Sequence, residues 1–365
     1  MLEKKWWAVI SKRKRGFKDS LWMVLFYLIS LFFGMGPVLK RIMYKLKILK
    51  PYYFPKKIIS VGNITIGGSG KTPFVEELSK RLGRTGKDVL IVEKGYKREK
   101  KNGFDVVSDG EKILLKAPEA GDEAYMLARS LSNVKIVVSS DKIKGISRGI
   151  DMFSPDVVLL DDGFQKRNAI PKAHNVVLLN ALNPLGYNRI FPAGTLREPV
   201  SALKHAETVV ITNTNLIQDP ELADKIKSVV LKYNRNAKVF ESEHQPKYLY
   251  NITTLEKENL SVLKNKKIIV FSSIGSPAGF EALLKSLGAK IIVSLRFRDH
   301  HKFKRAEIKG IASLLGKTQA AMIVTTEKDE VRINRKFLDN TKFHALKIGM
   351  MIKNVKELEK RLRIT

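Results

Sequence analysis

The sequence predicts an α/β protein built on a doubly wound parallel sheet. A second, smaller α/β domain and an apolar amino-terminal helix complete it. Three observations carry this reading. From residue 57 onward, short apolar stretches rich in Val and Ile alternate with helical stretches. Continuous apolar strands are buried on both faces, which is the condition of a parallel sheet. A glycine-rich turn follows the first strand and opens a helix. Well before it, nineteen consecutive residues, Leu21–Leu39, carry no charge.

The amino-terminal run comes first. It reads LWMVLFYLISLFFGMGPVL, near the ~20 residues that a membrane span needs. Lys12, Arg13, Lys14, Arg15 and Lys18 precede it, and Lys40, Arg41, Lys45, Lys47 and Lys50 follow. Twenty residues stand before the run and no small-x-small pattern closes it, so a cleavable signal peptide fits poorly. Positive residues prefer the cytoplasmic side, and a simple span would strand one basic cluster outside. Gly34, Gly36 and Pro37 are expected to break the helix near Phe33, which leaves thirteen uninterrupted residues from Leu21. The favoured reading is a helix embedded in the cytoplasmic leaflet, its basic flanks on anionic headgroups. A true span and a buried core helix are the alternatives.

After Pro51 and Pro55 the pattern turns to alternating strands and helices. Strands are expected at 58–61, 89–92, 134–138, 157–160, 176–179 and 209–211, with helices at 71–83 and 121–131. The chain becomes polar near Thr212 (TNTNLIQDPE), and a second series follows at 237–240, 267–271, 290–293 and 322–324. The expected domains are therefore 1–57, a membrane-associated helix with basic flanks; 58–212; and 213–365. A length of 365 residues suits two domains.

Composition narrows the chemistry. Hydrophobic residues make up 44% and charged ones 28%, so the chain can bury cores. The absence of cysteine excludes disulfides, a thiolate nucleophile, cysteine zinc sites and iron–sulfur clusters. Lys and Arg number 67 against 36 Asp and Glu, a net charge of +31. That excess attracts polyanions: nucleic acid, anionic lipid or phosphorylated substrates. The basic residues are spread along the chain, with no recognition-helix motif or RNA-binding signature, so nucleic acid is not the expected partner.

Residues 58–72 read IISVGNITIGGSGKT. A strand, a glycine-rich turn and Lys-Thr at a helix start make a P-loop, and the sheet is then of the P-loop NTPase type. Glycines let backbone N–H groups converge on phosphate oxygens, and the helix dipole adds to their pull. Thr65, Ile66, Gly67, Gly68, Ser69, Gly70, Lys71 and Thr72 are the expected ATP loop. Lys71 should reach the β- and γ-phosphates, and Thr72 should hold Mg²⁺. Thr65 stands where the usual pattern has glycine. A second element, VVLLDDGFQ at 157–165, is an apolar strand ending in carboxylates. It sets Asp161 or Asp162 at the carboxyl edge of the sheet, placed to bind Mg²⁺ directly or through water.

The ordered set is more specific than any one motif. GNITIGGSGKTPF, GDE at 121–123, DDGFQ, FPAGTLREP at 191–199, RDHH at 298–301 and VTTEKDEVR at 324–332 follow one another. This set resembles the tetraacyldisaccharide 4'-kinase family, the lipid A 4'-kinases of Gram-negative bacteria. The resemblance covers nearly the whole chain. It implies a membrane-associated P-loop kinase on the cytoplasmic face of the inner membrane, peripheral or monotopic. Its reaction would move the γ-phosphate of ATP to the 4'-hydroxyl of a tetraacyldisaccharide 1-phosphate, giving lipid IVA. The implied partners are that glycolipid and an anionic inner-membrane surface; the sequence names no protein partner.

The resemblance also implies roles. Asp122 would be the catalytic aspartate and His300 the histidine that partners it. Asp161, Asp162, Glu123 and Gln165 would form or support the Mg²⁺ site. Two departures stand out. The family's Ser-Arg-Gly-Tyr-Gly is here Glu93, Lys94, Gly95, Tyr96 and Lys97, so a bidentate arginine contact is absent. His300 is followed by His301. Arg197 and Glu198 would either touch substrate phosphate or hold a turn by an ion pair. Thr325, Thr326, Glu327 and Lys328 follow a strand and could cap a helix. His174, His205, His244 and His344 are isolated and are expected in ordinary packing roles. The rival reading is a membrane-bound P-loop NTPase switch with water as acceptor; a switch needs neither GDE nor RDHH.

Overall fold

The computed structural model describes residues 2–11, 16–96, 98–99, 103–275, 277–298, 301–338 and 342–364. The chain forms two compact units. Unit 1 takes Met1–Lys94, Asp141–Glu243 and Met351–Thr365; unit 2 takes Gly95–Ser140 and His244–Met350. These borders and the expected domains differ: residues 1–57 are part of unit 1 and not a separate domain, and three further segments change sides. Residues 95–140 belong with unit 2, and 213–243 and 351–365 with unit 1.

Unit 1 is a parallel sheet flanked by helices. Strand β1 (Lys57–Gly62) lies at its centre, paired with Val157–Leu160 on one side and His174–Asn180 on the other. Val89–Glu93 lies beyond Val157–Leu160. Beyond His174–Asn180 come Thr208–Thr212 and then the start of Lys238–Asn251. The strands are buried along their length, as their unbroken apolar sequence requires. Ile64, at the start of the glycine-rich segment, shares one core with Phe164, Val177, Leu179 and Leu196.

Unit 2 repeats the pattern on a smaller sheet. Lys290–Arg296, Lys267–Ser272, Met322–Thr326 and Phe343–Ile352 run parallel in that order. An antiparallel pair, Phe104–Asp109 with Val134–Ser139, belongs to the same unit. Phe271, Phe303, Ile308, Ile323 and Phe343 fill its core.

Helix α1 (Leu2–Ser11) and helix α2 (Phe17–Lys45) precede the sheet. Helix α2 is continuous, with Pro37 inside it. That corrects the expected break near Phe33. A proline removes one N–H, so a single rung, to the carbonyl four residues back, is lost. The turns on either side keep the rest of the ladder. The helix is about 44 Å long at its usual rise, and by length and composition it can cross a membrane. A buried core helix is excluded as well, since Leu31 is 67% and Phe32 76% exposed.

One stripe of α2 nonetheless packs on the 190–193 segment of the same unit. The Ser30 hydroxyl donates to the Ile190 carbonyl at 2.9 Å and accepts from the Ala193 N–H at 3.1 Å. Met23 packs with Val9, Ile10 and Ala193, and Phe26 lies against them. The Phe33 and Phe191 rings meet edge-on at 5.3 Å, and Trp6 donates to the Pro192 carbonyl at 2.7 Å.

Candidate active site

Strand β1 ends at Gly62, and helix α3 (Lys71–Arg84) begins at Lys71. The residues between form the loop. Gly67 has φ +118° and Gly70 φ +81°, conformations that an L side chain rarely adopts. A Cβ at Gly67 or Gly68 would meet nothing within 4 Å, so the loop's face is open to a ligand.

The loop is braced from behind. The Asn63 amide donates to the Ser69 hydroxyl at 2.9 Å, and the Thr212 hydroxyl to the Ser69 carbonyl at 3.0 Å. The Asn180 amide donates to the Gly68 carbonyl at 2.9 Å. The 190–197 segment supplies the other wall. Ile66 N–H donates to Thr195 O at 2.6 Å, and Arg197 N–H to Ile64 O at 2.8 Å. Thr65, expected among the ATP-loop residues, forms a bridge with Leu196.

Asp161 and Asp162 follow the Val157–Leu160 strand, at the same sheet edge. The Asp162 carboxylate lies 3.5 Å from Lys71 Nζ and accepts from Arg197 Nη1 at 2.9 and 3.0 Å. Burial would raise its pKa, but Lys71, Arg197 and Lys142 outweigh burial and hold it at about 2. Asp161 is buried, and its Oδ1 accepts from the Asp162 N–H at 2.7 Å. Behind this pair Lys142 Nζ bonds to the Asp161 and Asp162 carbonyls, the latter at 2.9 Å. Burial pushes the Lys142 ammonium below its usual range, against the pull of Asp162, Glu93 and Asp161. Lys142 is a residue that the sequence reading missed. It sits at the start of a helix, Lys142–Phe153, and carries no motif.

The remaining expected residues fall as follows. Thr72 is in the first turn of α3. Gln165 turns its amide to the Asn63 carbonyl at 2.9 Å and so supports the loop. Arg197 and Glu198 both make ion pairs: Arg197 with Asp162, and Glu198 with both terminal nitrogens of Arg167. The donor set of Thr72, Asp161 and Asp162 is all oxygen, which suits Mg²⁺.

Unit 2 carries GDE. Asp122 opens the helix Asp122–Ser130 behind Gly121, whose φ is +87°. Its Oδ2 accepts from Arg332 Nε at 2.6 Å, and Glu123 pairs with Lys328 at 3.0 Å. Arg332 and Lys328 come from VTTEKDEVR, so two of the motifs noted in the sequence meet here. Thr326 caps the short helix Glu327–Glu330, as expected, by accepting from the Asp329 N–H. His300 and Lys97 lie outside the described residues. His301 is stacked on Phe297 and bonded to Glu307 at 2.9 Å.

Comparison with known proteins points one way. A family model described as tetraacyldisaccharide-1-P 4'-kinase matches residues 22–364. A curated tetraacyldisaccharide 4'-kinase from Halothermothrix orenii is 33% identical, over 96% of this chain and 94% of its own. Another, from Elusimicrobium minutum, is 34% identical over 96% and 93%. The crystal structure of LpxK from Aquifex aeolicus, in complex with ATP, is similar with a TM-score of 0.71 and 28% identity. It covers 92% of this chain and 97% of that one.

Proposed function

This chain belongs to the tetraacyldisaccharide-1-P 4'-kinase family, and from that premise we propose which of its residues carry the reaction. It is a lipid A 4'-kinase, which phosphorylates the 4'-hydroxyl of tetraacyldisaccharide 1-phosphate to give lipid IVA. The phosphoryl donor is ATP with Mg²⁺. The support is the open, braced glycine loop and the ATP held by the Aquifex aeolicus relative.

In this reading residues 65–72 cradle the phosphates and Lys71 neutralises charge as the phosphoryl group moves. Thr72, Asp161 and Asp162 hold the metal, which supplies charge neutralisation when bound. Gln165 acts on the loop, and Glu123 joins the metal set on the family resemblance. Arg197 sets the Asp162 carboxylate. A sugar hydroxyl is a weak nucleophile and needs a positioned proton acceptor. Asp122 takes that proton, with His300 as its partner. The 4'-oxygen then bonds to phosphorus as the bond to the departing ADP breaks.

The single observation that carries the site is the Asp162–Lys71 pair on the open loop. The decisive experiment is transfer of label from γ-radiolabelled ATP to tetraacyldisaccharide 1-phosphate. Label in the lipid is expected. ATP turnover that ignores the glycolipid would instead mark a switch NTPase and overturn the reading.

We infer that helix α2 lies in the cytoplasmic leaflet of the inner membrane, with its basic flanks on anionic headgroups. Leu21, Trp22, Val24, Leu25, Leu28, Leu31 and Phe32 are exposed. Fully burying such a side chain contributes roughly 1.5–3 kcal/mol, and each gains the share of that which its exposed part represents. Together they far exceed the ~3 kcal/mol that a helical proline costs. The docked stripe of Met23, Phe26, Ser30 and Phe33 argues for lying over crossing. A spanning helix would draw the polar 190–193 backbone into hydrocarbon.

A further inference from the structure

We propose that Arg332 is a positioning residue for Asp122, fixing the carboxylate that takes the substrate proton. The proposal rests on the reading of Asp122 given above.

Arg332 is the hinge of a buried polar network in unit 2. Its side chain is 2% exposed, whereas that of Asp122 is 25% exposed. Nε donates to Asp122 Oδ2 at 2.6 Å. Nη1 donates to the Ser273 carbonyl at 3.1 Å, the Ser273 hydroxyl at 2.9 Å and Asp329 Oδ1 at 3.4 Å. Asp329 is itself immobilised. It accepts from the Ser273 N–H at 3.0 and 3.1 Å, from the Ser273 hydroxyl, and from the Thr326 hydroxyl at 2.7 Å. Every group behind the guanidinium is therefore pinned, and its more open end meets the carboxylate assigned to chemistry.

Asp122 needs such a hold. It is the first residue of a helix, where a carboxylate readily folds back onto first-turn N–H groups. A base turned that way accepts no proton from substrate. The Arg332 contact pulls one oxygen the other way and fixes the plane of the group. A planar fork can reach Asp122 with one nitrogen and Ser273 with another; an ammonium cannot do both.

A purely structural tie is the competing account. The two segments are, however, already joined by Lys328 with Glu123 at 3.0 Å and by Arg129 with Glu330 at 2.5 Å. Docking of the 121–130 helix on the 327–332 segment does not depend on Arg332 alone.

The test compares the full-length kinase with Asp122→Asn, Arg332→Gln, Arg332→Lys and the double Asp122→Asn/Arg332→Gln. Thermal melting establishes folding. Arg332→Gln is expected to lower kcat by about 100-fold, the scale of a 1 Å misplacement, with KM for ATP unchanged. The double variant should be no slower than Asp122→Asn, since a positioner has nothing left to position. Arg332→Lys, which keeps the charge but loses the fork, should fall between wild type and Arg332→Gln. Wild-type kcat in a folded Arg332→Gln variant, or additive losses in the double variant, would overturn the proposal. If Arg332→Gln does not fold, Arg332→Lys decides: wild-type kcat there overturns it and a reduced kcat supports it. Wild-type kcat in Asp122→Asn would sink the Asp122 assignment itself, an outcome distinct from failure of Arg332.

Discussion

Lys71 Nζ and Asp162 Oδ1 stand 3.5 Å apart at the carboxyl edge of the unit 1 sheet, and Arg197 Nη1 lies 2.9 Å from the same oxygen. One anionic group thus holds two cations beside a loop built to receive phosphate. Replacing Lys71 by Ala removes the charge meant for the transferring phosphoryl group. The expected loss in kcat is about 100- to 1,000-fold, in a protein with an unchanged circular-dichroism spectrum. A folded Lys71→Ala variant with normal kcat would remove the loop from the mechanism.

Asp162 also carries a pH signature. Its pKa of about 2 lies below the ordinary 3.8, because Lys71, Arg197 and Lys142 together outweigh burial. The stabilisation this gives is complete above pH 3.8 and is lost as pH falls toward 2. Arg197→Ala should raise the Asp162 pKa and move the acid-unfolding midpoint to higher pH. Acid titration followed by far-ultraviolet circular dichroism reads the shift, and superimposable curves would contradict it.

His174 acts over a different range. Burial first, then Arg361, Lys57 and Arg363, lower its pKa from 6.5 to about 4. The unfolded chain gains a proton that the folded chain refuses, so stability drops as pH falls from 6.5 to 4. Its Nε2 lies 2.9 Å from the Thr208 hydroxyl. His174→Gln can keep a hydrogen bond there and cannot ionise. Urea midpoints at pH 7 and pH 5 should lie closer together in that variant than in wild type.

The amino-terminal helix gives a prediction about extraction. Its apolar side chains bind bilayer without help from charge, so high salt should leave the protein on vesicles while detergent releases it. Deleting residues 1–39 should weaken vesicle binding and activity on vesicle-borne lipid more than affinity for ATP. Protease applied outside intact spheroplasts should spare an amino-terminal tag. Its digestion would show a crossing helix.

The legible parts of this protein were the contiguous ones. The strand, loop and Lys-Thr of residues 57–72 lie within one short stretch, and each requirement of phosphate binding shows as a residue type at a fixed offset. The Asp161–Asp162 strand end was readable for the same reason. Arg332 was not, because it reaches Asp122 across 210 positions of sequence. Lys142 was hidden likewise, since its ammonium acts on carbonyls nineteen and twenty residues away. Pro37 misled because a local breaker was weighed against one turn and not against the whole ladder of α2. The compact units escaped a linear reading because the chain enters unit 2 twice.

The 190–197 segment is a bracket with two loaded faces. At one end Ile190, Phe191, Pro192 and Ala193 seat the apolar helices through Ser30, Phe33 and Trp6. At the other, Thr195 and Arg197 bond to the backbone of the glycine loop. Cutting off the helix to obtain a water-soluble enzyme therefore does more than remove an anchor. It bares an aromatic ring and two carbonyls within a few residues of the loop's own scaffold. A solubilised enzyme of that kind is a differently supported catalyst, and its rates describe the altered bracket as much as the native one.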